Sequence, residues 1–195
     1  MLAAMEARVE WPTDAGLLVA IEPSAQELAP HVEALVAAYN EPHNARMLGH
    51  TAALGAADVT GHYERLRADG DHGVLLLRDG ALVGDGDLRG VTRRACELAF
   101  LVAASTDQGR GLGTRFALML SMLAFAGLGV ERVYASVLPA NAASLRVFEK
   151  LGYTRDPGAE AAQYGDDGDV VLSVSRAALS ARHAAAMAEI RVVMR

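Results

Sequence analysis

This chain of 195 residues is short of several things, and each shortage excludes something. It has one cysteine, Cys96, so no internal disulfide can form. With no activating base near it in sequence, Cys96 reads as a small strand residue rather than a nucleophile. Lysine occurs once, at Lys150, so a phosphate loop of the Gly-x-x-x-x-Gly-Lys-Ser/Thr type is ruled out. Positive charge is in deficit: the net charge is −6, which argues against general binding to nucleic acid or to an anionic membrane surface. The same balance suits a positively charged amine as a substrate. The longest apolar stretch, residues 117–130, is too short and too interrupted to span a bilayer. The N-terminus carries Glu6, Arg8 and Glu10 and lacks the apolar centre of a signal peptide. A cytoplasmic protein is expected. The six histidines (His31, His43, His50, His62, His72 and His183) lack metal-ligand spacing, so no metal site is expected. There is no internal repeat and no inter-domain linker.

What is present is a hydrophobic content of 52%, enough for a substantial core in one domain with a terminal extension. The most informative run is Gln108-Gly109-Arg110-Gly111-Leu112-Gly113. It lies between a strand-like stretch, residues 97–103, and an apolar helix-like stretch, residues 112–127. A strand feeding a glycine loop and then a helix N-terminus builds an anion site. The first N–H groups of the helix lack internal partners, and its dipole is positive there. A dinucleotide loop would need Gly-x-Gly-x-x-Gly early in a repeating βαβ unit, and here the spacing is wrong and the position late. Another kind of phosphate loop, or a tight connection only, remains.

Along the chain, residues 1–16 show no clear period and contain Pro12, and read as a loose arm. Residues 17–22 form a first strand. Ser24 and Glu27 have capping-box spacing ahead of a helix with Leu28, Val32, Leu35, Val36 and Tyr39 on one face. Residues 40–57 read as loop or short helix, and Asp58 as the cap of a second helix that stops at Gly70. Residues 74–78 and 81–88 flank Asp79-Gly80, a hairpin signal, and residues 94–103 add a third meander strand. After the glycine loop and its buried helix come a strand at 132–137 and a short helix capped by Asn141. Two closing strands, 153–155 and 170–176, precede a C-terminal helix at 177–194. Its apolar residues suit packing on its own domain or on a second copy in a homodimer.

This order of elements resembles the GCN5-related N-acetyltransferase (GNAT) superfamily over residues 17–176, leaving 1–16 as an arm and 177–195 as a helical extension. Two blocks carry the resemblance. One is Glu97-Leu98-Ala99-Phe100-Leu101-Val102 with the glycine loop. The other is Asn141-Ala142-Ala143-Ser144 running into Phe148-Glu149-Lys150-Leu151-Gly152-Tyr153. The Asn-x-x-Ser form looks most like the branch that includes the ribosomal-protein N-terminal acetyltransferases, which also holds enzymes acting on small amines.

The resemblance implies a mixed α/β fold: a mostly antiparallel sheet, splayed between its fourth and fifth strands, with helices on both faces. It implies acetyl-CoA as co-substrate and acetyl transfer to a primary amine of a small molecule or a protein N-terminus. Backbone groups of Leu101, Val102 and Ala103 would pair with the pantetheine arm. The N–H groups of Gln108, Gly109, Arg110, Gly111, Leu112 and Gly113 would hold the pyrophosphate, with a further charge from Arg110. Asn141 would bond the pantetheine or the nearby main chain. Glu97, on one strand face with Ala99 and Leu101, is the expected base, and Asp85 and Asp87 are lesser candidates for substrate contact. Two departures stand out. The loop from Val102 to Gln108 is one residue longer than the commonest family spacing. Phe148 stands where many members place a proton-donating tyrosine, which leaves Ser144 as the substitute acid or the thiolate to leave unassisted. A non-catalytic acyl-CoA-binding module and a nucleotide-binding protein are the alternatives.

Overall fold

The computed structural model describes residues 7–49, 51–104, 109–165 and 168–194. Among these a nine-stranded sheet runs in the order β7-β8-β6-β5-β4-β3-β2-β1-β9. The strands are β1 (Ala7–Thr13), β2 (Gly16–Ile21), β3 (His72–Arg78), β4 (Ala81–Arg89), β5 (Ala95–Val102), β6 (Arg132–Val137), β7 (Thr154–Arg155), β8 (Val170–Ser175) and β9 (Arg191–Met194). The helices are α1 (Ala25–Leu28), α2 (Val32–Asn40), α3 (Pro42–Met47), α4 (Ala56–Asp69), α5 (Leu112–Met122), α6 (Ala142–Leu151) and α7 (Arg176–Glu189).

Strand alternation sends neighbouring side chains to opposite faces of the sheet. On β3, Val74 and Leu76 join the core beneath α5, whereas Leu75 packs with Leu28, Val32, Leu35, Val59 and Tyr63 from the helices on the opposite face. The α5 face is the larger core, with Phe116, Leu120, Leu123, Phe148 and Leu151 buried. Close approach of α5 to the strands depends on two glycines. A Cβ at Gly86 would lie 2.9 Å from Leu120, and one at Gly113 would lie 3.1 Å from the Phe100 ring.

Pairing is antiparallel except between β5 and β6. There the parallel register holds only at Ala95 with Arg132, Cys96 with Val133 and Glu97 with Tyr134. Beyond Glu97 the two strands part. The splay expected between the fourth and fifth strands thus falls between β5 and β6, because β1 adds one strand ahead.

Both chain ends differ from the expectation. Residues 7–13 are not a loose arm: Ala7, Val9 and Trp11 are buried on one face of β1, between β2 and β9. The C-terminal helix does not reach 194 but stops at Glu189, and Arg191–Met194 turn back as an edge strand on β1. Val192 and Val193 are β-branched, and the open edge of β1 gives their backbone partners that a helix end cannot. Asp58 is not the cap residue of α4. It occupies the third helical position and accepts the N–H of Gly55, the N-cap, at 2.7 Å. The buried helix beginning at Leu112 continues past α5 as a π-helical turn, Leu123–Leu128, that stops at Gly129.

Candidate active site

Two cavities meet at the splay. The first, of about 250 Å³, is a groove between α3, the end of β5, the start of α5 and α6. The second, of about 910 Å³, lies between α2, α4, the middle of β4 and β5, and the end of β6. Met47, Leu48, Phe100, Leu101, Asn141 and Ser144 border both.

The groove is built by the features legible in the sequence. Gly109 and Gly111 have φ of +75° and +81°, the left-handed region that an L-residue enters only at a cost. Gly111 is the N-cap of α5, so the leading N–H groups of an 11-residue helix face this end of the groove. Gly109, Gly111, Gly113 and Thr114 line it, with Leu101, Val102, Asn141 and Ser144. The side-chain oxygen of Asn141 accepts the Ser144 N–H at 3.1 Å, which fixes the first turn of α6 at the junction. Not every expected contact residue lines the groove with its side chain. Arg110 is exposed and borders neither cavity, and Leu112 turns its side chain into the core. Ala103 borders neither cavity; its N–H is bonded to the Val83 carbonyl, while its own carbonyl accepts the Asn44 amide at 3.5 Å. Gln108 lies outside the described residues.

The second cavity carries charge. In the β4–β5 register Arg89 faces Glu97, Asp87 faces Ala99 and Asp85 faces Leu101, so these side chains share one sheet face. Glu97 stands at the closed end of the splay, with Oε1 3.1 Å from Arg89 Nη2. Arg89 Nε lies 3.2 Å from Asp87 Oδ1, although these two buried atoms are not aligned as a hydrogen bond. Burial opposes the Arg89 charge, but Asp87 and Glu97 overcome it and hold the guanidinium above its ordinary pKa. Asp87 Oδ2 is 3.2 Å from His62 Nε2.

Asp85 is 3% exposed and accepts two hydroxyls, Tyr39 on Oδ2 and Tyr63 on Oδ1. Burial pushes its pKa up to about 6, even though both hydroxyls favour the charged form. Burial, with the nearby Asp85 charge, raises both tyrosines well above their ordinary range. Gln163, Tyr164 and Gly165 close the far wall, with Tyr164 stacked on Tyr134 at 4.4 Å. Phe148 is buried against Phe100 and Tyr153. The Tyr153 hydroxyl is spent on Ser121 at 2.9 Å.

The structure brings Asn141 and Ser144 to the junction of the two cavities and Glu97 to the border of the second. His62, Tyr63 and Arg89 border the same cavity and carried no site role in the sequence reading, where Asp85 was a lesser candidate for substrate contact. The available signal was the alternation Asp85-x-Asp87-x-Arg89 on a strand otherwise apolar or glycine, which puts three charges on one face.

Comparison with known proteins agrees with this architecture. The probable N-acetyltransferase YjcK of Bacillus subtilis (strain 168) is 30% identical over 102 residues, which span 50% of this chain and 56% of that protein. The chain therefore spans little more than half of that relative. The structure of Mycobacterium smegmatis RimJ in complex with CoA-disulfide matches with a TM-score of 0.70 at 18% identity, over 97% of each chain. The aminoglycoside acetyltransferase AAC(6')-Ib in complex with coenzyme A matches with a TM-score of 0.67 at 21% identity, over 84% of this chain and 98% of that one. At these identities the structural likeness speaks for the fold. The profile of the acetyltransferase (GNAT) domain matches residues 22–154, from the end of β2 through the glycine loop and α6 to β7. The chain belongs to the GNAT acetyltransferase family.

Proposed function

We propose that this protein is an acetyl-CoA-dependent N-acetyltransferase that acts on a primary amine. The observation that carries the reading is the junction: a groove headed by a helix N-terminus opens, at Leu101, Asn141 and Ser144, into a second cavity rich in carboxylates. A two-substrate transfer needs such an arrangement, with one arm for each substrate and a shared point of reaction. A non-catalytic coenzyme-binding module would not need the second, charged arm.

The groove suits the coenzyme. The open, left-handed glycines Gly109 and Gly111 let a pyrophosphate come close to main-chain N–H groups. The β5–β6 ladder ends at Glu97, and Leu101, further along β5, borders the groove where it can pair with an extended pantetheine as an added strand would. Coenzyme relatives with this fold, RimJ and AAC(6')-Ib, were solved with CoA-disulfide and coenzyme A. The coenzyme supplies the thioester that the amine attacks.

The second cavity suits the amine. Asp58, Asp85, Asp87, Glu97 and Asp169 border it against Arg65 and Arg89, so a cationic acceptor is attracted. An alkylammonium must lose a proton before it can attack, and a carboxylate of this cavity takes it; Glu97 is the first candidate. Ser144, which borders both cavities, is the candidate to pass a proton to the leaving thiolate, since Phe148 has none to give. The acceptor is a small molecule or a peptide N-terminus.

Calorimetric titration with acetyl-CoA, with ATP and NAD as controls, tests the coenzyme half of the reading. Saturable binding of acetyl-CoA alone is expected. Binding of ATP or NAD in its place would make the glycine loop a site for another phosphate ligand.

A further inference from the structure

Glu97 is not the carboxylate nearest the junction. It sits where β5 and β6 are still paired, four residues before Leu101, or about 13 Å along an extended strand. Its carboxylate is engaged with Arg89 at 3.1 Å. Asp85 is the direct cross-strand partner of Leu101, on the same sheet face, and borders the second cavity. Two tyrosines from two different helices, α2 and α4, converge on its two oxygens. Both oxygens of this buried acid are thus held by neutral hydroxyls.

We propose that Asp85 is the catalytic base that takes the proton from the acceptor ammonium, and that Glu97 is a positioning residue acting through Arg89 and Asp87. This rests on the acetyltransferase reading and moves its base from β5 to β4. One ammonium proton passes to an Asp85 oxygen, and the freed nitrogen lone pair bonds to the thioester carbonyl carbon. The C–S bond breaks with its electron pair on sulfur. The attacking nitrogen gives up a second proton, which sulfur takes by way of Ser144, and Asp85 later returns its own proton to solvent. A base titrating at about 6 fits the work, since it is charged at neutral pH and more basic than an ordinary carboxylate.

The groups facing Asp85 are Tyr39 from α2, Tyr63 and His62 from α4, and Asp87, Arg89 and Glu97 further along the same sheet face. The test must separate these groups. Thiol release from acetyl-CoA is measured from pH 5 to 9 with lysine, spermidine, kanamycin and an alanyl peptide as acceptors. For wild type, kcat/KM falls as pH drops through about 6. Asp85→Asn lowers it by about 10²-fold or more and removes that acid limb. Tyr63→Phe, which keeps the ring and removes one donor to the carboxylate, shifts the limb to higher pH by roughly half to one unit. His62→Gln and Glu97→Gln slow the reaction but keep the limb. A limb that survives in Asp85→Asn, or that vanishes in His62→Gln or Glu97→Gln, overturns the assignment. A readout without turnover accompanies it: the 13C carboxyl resonance absent from Asp85→Asn titrates near pH 6 in wild type and shifts upward in Tyr63→Phe. Wild type that releases no thiol with any amine refutes the acetyltransferase reading, and the base with it. Activity with an unshifted limb in Tyr63→Phe refutes the base alone.

Discussion

A carboxylate buried between two tyrosine hydroxyls has an effect on stability as well as on chemistry. The folded-state pKa of Asp85, about 6, lies above the ordinary aspartate value of 3.8. Between these values the folded protein binds the proton more tightly than the unfolded chain does. Stability from this group is therefore fully present below about pH 4 and is lost as pH rises through about 6. Asp85→Asn removes that dependence. We expect the variant to melt above wild type at pH 8 and the gap to close towards pH 4, with the difference at high pH a few kcal/mol at most. Thermal denaturation across this range checks it, and a constant gap would contradict the buried-acid description. Glu97→Gln breaks the contact with Arg89, and turnover should fall by about 10–100-fold while acetyl-CoA affinity holds. Calorimetry beside steady-state kinetics separates the two effects. Glu97, Asn141 and Ser144 were legible because motif and spacing mark them. Asp85 was legible only as a lesser candidate for substrate contact, because an acid on a strand looks the same in sequence whether its face meets water or the hydroxyls of two distant helices.

Among the elements, the glycine loop does the most with the least. Gly111 has open space where a Cβ would go, so its requirement is conformational and not steric. Gly111→Ala should cost about 1–2 kcal/mol of stability through its φ of +81° and should weaken acetyl-CoA binding by tilting the first turn of α5. Equal affinity in wild type and variant would show that this turn does not hold the coenzyme. Strand–loop–helix order around this site could be read from periodicity and glycine spacing. The two edge elements could not. β1 hides its alternation of Ala7, Val9 and Trp11 beside Pro12, and β9 is four residues whose conformation is set by a partner 181–187 residues away in sequence. Such pairing is a tertiary choice that local propensity does not contain.

Over the whole molecule the sheet joins these edges to the site without making them part of it. β9 lies five strands from β5, or about 24 Å across the sheet. It packs on the π-helical turn, where a Cβ at Gly127 would come within 2.8 Å of Met194 and 3.4 Å of Val192. Removal of residues 191–195 should lower the melting temperature by several degrees and leave acetyl-CoA affinity as in the full chain. Lost binding in the shortened chain would mean that the edge strand supports the groove. The distribution of charge also belongs to this scale: five of the 24 acidic residues, Asp58, Asp85, Asp87, Glu97 and Asp169, border the second cavity. The most direct test of the account is mass spectrometry of primary amines incubated with acetyl-CoA and the protein. The account predicts an acetyl increment on at least one amine, formed together with free coenzyme A and accumulating about 10²-fold or more slowly in Asp85→Asn. Tight coenzyme binding with every amine left unmodified would contradict it.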